Sequence, residues 1–153
     1  MIIRDANRDD IVDVINLAHR YLHLAIDGYK LDKAIWITNV LTWLSEAEKN
    51  SALFKVAYVG DDIAGFMIAS PVKWHYSDDI YLDIKEMFVD EDLPKVSKSK
   101  VVLKFTKEAE EKAREAQLKG VSAFSIRDNS ESYSNFFVKK LGWTKAAGAK
   151  LIF

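Results

Sequence analysis

The chain contains no cysteine, which excludes disulfides, cysteine nucleophiles and thiolate metal sites. It also lacks an N-terminal apolar h-region and any apolar run near the roughly 20 residues that a membrane-spanning helix needs. Nothing in the sequence marks secretion or membrane insertion, so the expected location is cytoplasmic. An excess of charge is missing too. The 22 basic residues face 23 acidic ones, for a formal net charge of -1, and neither nucleic acid nor an anionic membrane would be attracted overall. Internal repeats and low-complexity linkers are absent. What is present is ordinary for a globular protein: 49% apolar and 29% charged residues over 153 positions. That is enough for one domain, residues 1–153, with a real core.

Local patterns predict a mixed α/β chain. Residues 1–4 read as a strand. Asn7 offers a helix cap with Asp10 at capping-box distance, ahead of Ile11, Val14, Ile15, Ala18, Tyr21 and Leu22 at helical spacing. Asp27 and Gly28 break that pattern. A second helix is predicted from about 32 to 48, with Trp36, Ile37, Val40, Leu41 and Leu44 on its apolar face. Residues 53–59 and 63–69 are β-rich runs joined by Gly60, Asp61 and Asp62, a hairpin signal. The polar and aromatic stretch 71–79 reads as a loop, and 80–89 as the next strand. The longest helix is predicted over 97–119. Val102, Phe105, Ala109, Ala113 and Ala116 form its buried stripe, and Glu108/Lys112 and Glu110/Arg114 sit at pairing distance on the wet face. Gly120 is its expected stop. Residues 121–126 then form a strand, which makes 80–126 a βαβ crossover with parallel neighbours. A last helix over 130–141 is stopped by Gly142, and the tail 143–153 predicts one or two closing strands.

The segment 86–105 carries the most information. An apolar strand, a short polar turn and a helix start follow one another, with Ser97 and Ser99 set among Lys95, Lys98 and Lys100. A helix N-terminus presents unpaired N–H groups and partial positive charge, so this combination suits a phosphate-bearing cofactor. The plainer alternative is that Ser97 only N-caps a surface helix.

At this point the chain resembles the GNAT N-acetyltransferase superfamily over essentially its whole length. The element order β-α-α-β-β-β-α-β-α-β matches, and the hallmark of that family is a strand ending in Val, a turn, and Q/R-x-x-G-x-G/A opening the long helix. Aligning Val89 with the strand end places Pro94 at the Gln/Arg position, Ser97 and Ser99 at the two small-residue positions, and Val102 and Leu103 at the apolar pair. Phe137-Val-Lys-Lys-Leu-Gly-Trp143 resembles the family's F-Y-x-K-L-G-F phrase, and the opening Met1-Ile-Ile-Arg-Asp-Ala-Asn-Arg-Asp-Asp10 is also similar. Leu31-Asp-Lys33 and Ser77-Asp-Asp79 resemble a phage-type branch.

The resemblance implies an acetyl-CoA-dependent N-acetyltransferase, with acetyl-CoA as cosubstrate and an amine of a small molecule or protein as acceptor. It implies that Met87, Phe88 and Val89 offer main chain to the pantetheine arm. Lys95, Val96, Ser97, Lys98, Ser99 and Lys100 would wrap the pyrophosphate, with Asn129 also on the cofactor. The general base would be a carboxylate on the strand, Glu86 or Asp83, and strand parity predicts that only one of the two faces the cleft. The family's acid, a Tyr on the last helix, corresponds to Val138, which cannot donate a proton. Tyr133 stands five residues earlier as the candidate replacement. Pro94 supplies no N–H, and serines restrict the conformations that glycines would permit. A catalytically inactive GNAT-fold structural, assembly or host-interaction protein is therefore the alternative reading. A homodimer stays open.

His19 and His23 are four residues apart on the first helix, but a metal needs a further ligand and no HExxH-like motif is present. With His75 they read as a polar helix face or acceptor-site lining, and no metal is expected. Tyr29, Trp36, Trp74 and Tyr76 are candidates to line an acceptor pocket.

Overall fold

A computed structural model of the chain describes residues 1–25, 32–73, 77–123 and 130–145. The elements are β1 (Ile2–Asp5), a 3-10 turn (Arg8–Asp10) running into α1 (Ile11–Ala25), α2 (Lys33–Glu48), β2 (Leu53–Val59), β3 (Asp62–Lys73), β4 (Ile80–Val89), α3 (Lys95–Glu115), β5 (Gly120–Ala123) and α4 (Ser130–Leu141). The five strands form one mixed sheet in the order β1-β2-β3-β4-β5. β4 and β5 are parallel and every other neighbouring pair is antiparallel. The crossover read from residues 80–126 is thus present. Of the tail 143–153, expected to hold one or two closing strands, 143–145 are not strand and 146–153 lie outside the described residues, as do 124–126 of the fifth strand.

Each face of the sheet has its own core. On one, Val14 and Leu17 of α1 and Val40 and Leu44 of α2 cover Phe54, Val56, Phe66, Ile68 and Phe88. Phe66 and Phe88 stack there with centroids 5.1 Å apart. On the other, Val101, Phe105 and Ala109 of α3 cover Ala57, Met67, Ala69, Leu82, Ile84 and Val89. The α1 and α3 stripes follow the spacing that the sequence shows, except that Ala116 is exposed, while on α2 Ile37 and Leu41, expected on the apolar face, are exposed and only Trp36, Val40 and Leu44 are buried.

A buried carboxylate fixes the entry to α1. Asp10 is 2% exposed and accepts a two-pronged pair of bonds from Arg4 at 2.7 and 2.8 Å. It also accepts from the Asn7 N–H at 2.8 Å and the Tyr58 hydroxyl at 2.9 Å. The capping box expected from Asn7 and Asp10 is formed. β1, β2 and α1 are joined at this one side chain. Burial alone would raise the Asp10 pKa, but the Arg4, Asn7 and Tyr58 bonds together outweigh it and hold the carboxyl below its ordinary 3.8.

Three expectations are corrected. β3 continues through Pro71 to Lys73, where a loop was expected, and pairs with β4 as far as Lys73↔Ile80. β2 pairs with β3 only to Ala69, so Pro71 lies on a stretch with no β2 neighbour, where a missing N–H is tolerated. α3 starts at Lys95 and ends at Glu115, four residues before the predicted end. Gln117 takes the left-handed conformation (φ 55) that glycine was expected to supply. The Leu118 and Gln117 N–H groups bond to Ala113 and Arg114 carbonyls at 2.8 and 3.0 Å, a Schellman ending built without glycine. Finally, Arg114 reaches Glu110 at 3.5 Å as expected, but Glu108 turns away from Lys112 to Lys55 at 2.8 Å. Lys55 is mostly buried and needs that partner, together with Asp5 at 3.0 Å. Lys112 instead donates to Asn50.

Two stability predictions follow from this packing. A Cβ on Gly65 would lie 2.6 Å from the Phe88 carbonyl oxygen and 3.3 Å from both Phe105 and Val101. Gly65→Ala should therefore destabilise the protein by about 1–3 kcal/mol through overpacking, read by urea unfolding. The Asp10 pKa is lower folded than unfolded, so its contribution is present above pH 3.8 and is lost as pH falls through the lowered value. Asp10→Asn should cost about 1–3 kcal/mol at pH 7 and progressively less as the pH drops below about 4. An unchanged difference across that range would contradict this assignment.

Candidate active site

The residues expected to carry chemistry gather along β4 and the turn that follows it. The β3–β4 ladder breaks between Ile68, which pairs with Glu86, and Ala69, which pairs with Ile84. Lys85 is the extra residue, a β-bulge. In an unbroken strand Asp83 and Glu86 would point to opposite faces. Here they do not. Asp83 lies opposite Ser70 and Glu86 opposite Ile68, positions of equal parity on β3. Both carboxylates are therefore on the α1/α2 side of the sheet, with Phe66 and Phe88. The expectation that only one of them faces that side is corrected by the bulge.

Asp83 accepts from the Ser122 hydroxyl at 2.7 Å and from Lys85 Nζ at 2.8 Å, so each oxygen has a partner and the side chain ties β4 to β5. Glu86 is half-buried. Beyond it, Phe88 and Val89 are 2% and 4% exposed and point into opposite cores, while Met87 packs partly buried against the α3 side. Anything that Phe88 and Val89 give a ligand comes from main chain.

The turn after β4 is held from three directions. The Asp90 N–H donates to the Ala64 carbonyl at 3.0 Å and the Leu93 N–H to the Asp90 carbonyl at 3.3 Å. The Asp90 side chain accepts from the Asp92 N–H at 2.9 Å. From α1, the buried Tyr21 hydroxyl donates to Asp90 at 2.5 Å and to Asp92 at 3.1 Å, and Arg20 stands 3.8 Å from Asp90. Burial, and then the Asp90 carboxylate, push the Tyr21 pKa upward. Glu91 pairs with Lys98 at 3.0 Å. The three carboxylates of the turn are thus each engaged, two of them by α1.

α3 opens without a side-chain cap. Pro94 is the N-cap residue and makes no capping bond, and no acidic residue occupies the first turn. The first intrahelical bond runs from the Lys98 N–H to the Pro94 carbonyl at 3.0 Å. The N–H groups of Lys95, Val96 and Ser97 precede it and point along the helix axis out of its positive end. Ser97 is accordingly not the N-cap but the third helical residue, half-buried like Lys98 and Ser99, whereas Lys95, Val96 and Lys100 are exposed. Nine of the ten residues expected at the cofactor lie here or at the end of β4.

Asn129, Tyr29, Trp74, His75, Tyr76 and the side chains of Tyr133 and His23 lie outside the described residues. Val138 is half-buried on α4, which docks on α3 through Trp143. That indole stacks on Phe137 at 4.7 Å and donates to Glu110 at 3.2 Å. Trp36, expected in an acceptor pocket, is 7% exposed and packs on Trp43 and Phe66. Among the described residues its Nε1 has no hydrogen-bond partner. Among the described residues no cluster of His, Asp or Glu could hold a metal ion, and no helix is long and apolar enough to cross a membrane.

Sequence reasoning missed Tyr21, Arg20, Asp90 and Ser122, the side chains that hold this region in place. Tyr21 was legible only as one more member of an apolar stripe, and nothing local announces the Lys85 bulge.

No protein-family model matches the sequence, and no relative appears among curated proteins. Solved structures do match. A predicted acetyltransferase of Clostridium acetobutylicum solved with acetyl-CoA superposes with a TM-score of 0.74 at 12% identity, over 99% of this chain and 95% of that one. The aminoglycoside antibiotic 6'-N-acetyltransferase AAC(6')-IG of Acinetobacter haemolyticus gives 0.71 at 15% identity, over 100% and 97%. A GNAT family acetyltransferase of Staphylococcus aureus gives 0.64 at 10% identity, over 99% and 97%. From β1 to α4, this chain has the GNAT acetyltransferase fold.

Proposed function

We propose that the protein is an acyl-CoA-dependent N-acyltransferase, with acetyl-CoA as donor and an amine as acceptor. The observation that carries this reading is the Lys85 bulge, which turns Glu86 onto the α1/α2 face of β4 just before the strand runs into the uncapped start of α3. The fold shared with a predicted acetyltransferase solved with acetyl-CoA supports it.

In this reading the pantetheine arm lies along the main chain of Met87, Phe88 and Val89. The pyrophosphate meets the N–H groups of Lys95, Val96 and Ser97, with Ser99 leaving room and Lys95, Lys98 and Lys100 adding charge. Asn129 completes the cofactor contacts. Glu86 accepts a proton from the acceptor amine, directly or through water, as the nitrogen attacks the thioester carbonyl. The C–N bond forms, the C–S bond breaks, and the thiolate leaves. Asp83, bonded to Ser122 and Lys85, is the second carboxylate on this face. A thiolate is a good leaving group, so its protonation from water suffices with Val138 at the usual acid position. Tyr133 is the side chain on α4 that could supply the proton instead.

Acetyl-CoA at about 100 times its dissociation constant should stabilise the protein by about 2.7 kcal/mol, a rise in Tm of about 5–10 °C for a chain of this size. Ser97→Glu should abolish that rise by repelling the pyrophosphate. A glutamate in the first helical turn is itself favourable to the helix, so the variant's own Tm should hold. Glu86→Gln should keep the shift and lose about 100-fold or more in turnover. Absence of any shift with wild type would favour the catalytically silent reading. An undiminished shift in Ser97→Glu would refute the placement of the pyrophosphate.

A further inference from the structure

Lys85, the inserted residue of the β4 bulge, carries a primary amine that the proposed function leaves unused. Alternation along β4 puts it on the same face as Asp83, two residues before it. The bulge then keeps Glu86 on that face as well. The Lys85 Nζ donates to Asp83 at 2.8 Å, and Asp83 is fixed in turn by the Ser122 hydroxyl at 2.7 Å. The amine is reachable, since the Lys85 side chain is 34% exposed. It also stands at a fork in the sheet. Among the described residues β4 pairs with β5 only as far as Ile84↔Ala123, so that edge of β4 is uncovered from Lys85 onward.

We propose that Lys85 is a self-acylation site, taking the acyl group from a bound acyl-CoA in place of an external amine. This rests on the proposed function, which runs the donor from the start of α3 back along Val89, Phe88 and Met87. Each strand residue advances about 3.3 Å, so a thioester that follows Met87 comes level with Glu86 and Lys85, within reach of the flexible lysine stem. The Lys85 ammonium gives one proton to Asp83. The neutral nitrogen attacks the thioester carbonyl, the C–N bond forms, and the C–S bond breaks with its electron pair leaving on sulfur. A second nitrogen proton passes through water to the thiolate, and Asp83 releases its own proton to solvent. Holding amine, carboxylate and thioester together raises the effective concentration of this amine far above that of a lysine elsewhere on the surface. The product is an amide. It removes the one cation among Asp83, Lys85 and Glu86 and presents a more negative face to an incoming ammonium.

Peptide mass spectrometry of the full chain after timed incubation with acetyl-CoA, run beside the thermal shift, tests this. Lys85 should gain one acetyl group about 100-fold faster than Lys107, which is exposed on α3. Lys85→Arg keeps a cation beside Asp83 but offers no amine for the thioester to acylate, so it should lose that label and keep the acetyl-CoA shift. Asp83→Asn should slow labelling by about 100-fold. Ser97→Glu, which excludes the donor, should reduce it to the rate of Lys107. A wild type that shows the acetyl-CoA shift while Lys85 labels no faster than Lys107 would overturn the self-acylation and leave the proposed function standing. A wild type without the shift would overturn both. Unreduced labelling of Lys85 in Ser97→Glu or in Asp83→Asn would overturn the self-acylation as well, because the acyl group would then arrive without the site that is said to deliver it.

Discussion

One extra residue in β4 decides how this sheet meets its surroundings. With Lys85 inserted opposite the Ile68–Ala69 step, the strand changes face parity midway. Leu82 and Ile84 before it and Val89 after it can all pack under α3, while Phe88 stacks on Phe66 beneath α1 and α2. Without the insertion, one of these two sets would point to the wrong core. The same half-turn brings Glu86 to the side already occupied by Asp83. Packing and candidate chemistry therefore share a single cause. Gly65 belongs to the same constraint, because its missing Cβ lets the Phe88 carbonyl, Val101 and Phe105 close over β3 and seats the first turns of α3 against the sheet.

In the proposed function the anion sits at the turn between β4 and α3, among carboxylates. Asp90, Glu91 and Asp92 follow the strand directly and would repel a pyrophosphate if left free. Tyr21 and Arg20 hold Asp90, Tyr21 also holds Asp92, and Lys98 holds Glu91. These contacts draw two of the acids toward α1 and leave the start of α3 with main-chain donors, small serines and lysines. Rigidity comes from the same contacts, since α1, β3 and the turn itself each contribute a bond. In the proposed function the hydroxyl of a buried tyrosine is thereby a positioning group for a site it does not touch.

Much of the fold was legible from periodicity and punctuation. The capping box at Asn7 and Asp10, the Gly60–Asp61 turn and the apolar stripe of α3 each rest on contacts within a few residues, which sequence spacing records directly. The helix ending at Gln117 was not legible, because a glutamine in left-handed conformation is held by bonds to Ala113 and Arg114 and not by its own preference. The strand through Pro71 was hidden for a similar reason: what tolerates the proline is where β2 stops. At the site, the strand–turn–helix segment and its serines and lysines could be found by pattern. The facing of Asp83 and Glu86 could not, since parity counts residues and a bulge miscounts them. Partners distant in sequence, such as Tyr21 with Asp90 or Asp83 with Ser122, leave no local trace at all.

The central claim is that the end of β4 and the start of α3 together hold an acyl-CoA. A backbone amide NMR titration of the isotopically labelled protein with acetyl-CoA tests it most directly. The account predicts saturable shifts concentrated at Met87, Phe88 and Val89 and at Lys95, Val96 and Ser97, with the Ser97 amide among the most displaced. Saturable shifts centred elsewhere, or none at millimolar acetyl-CoA, would contradict it.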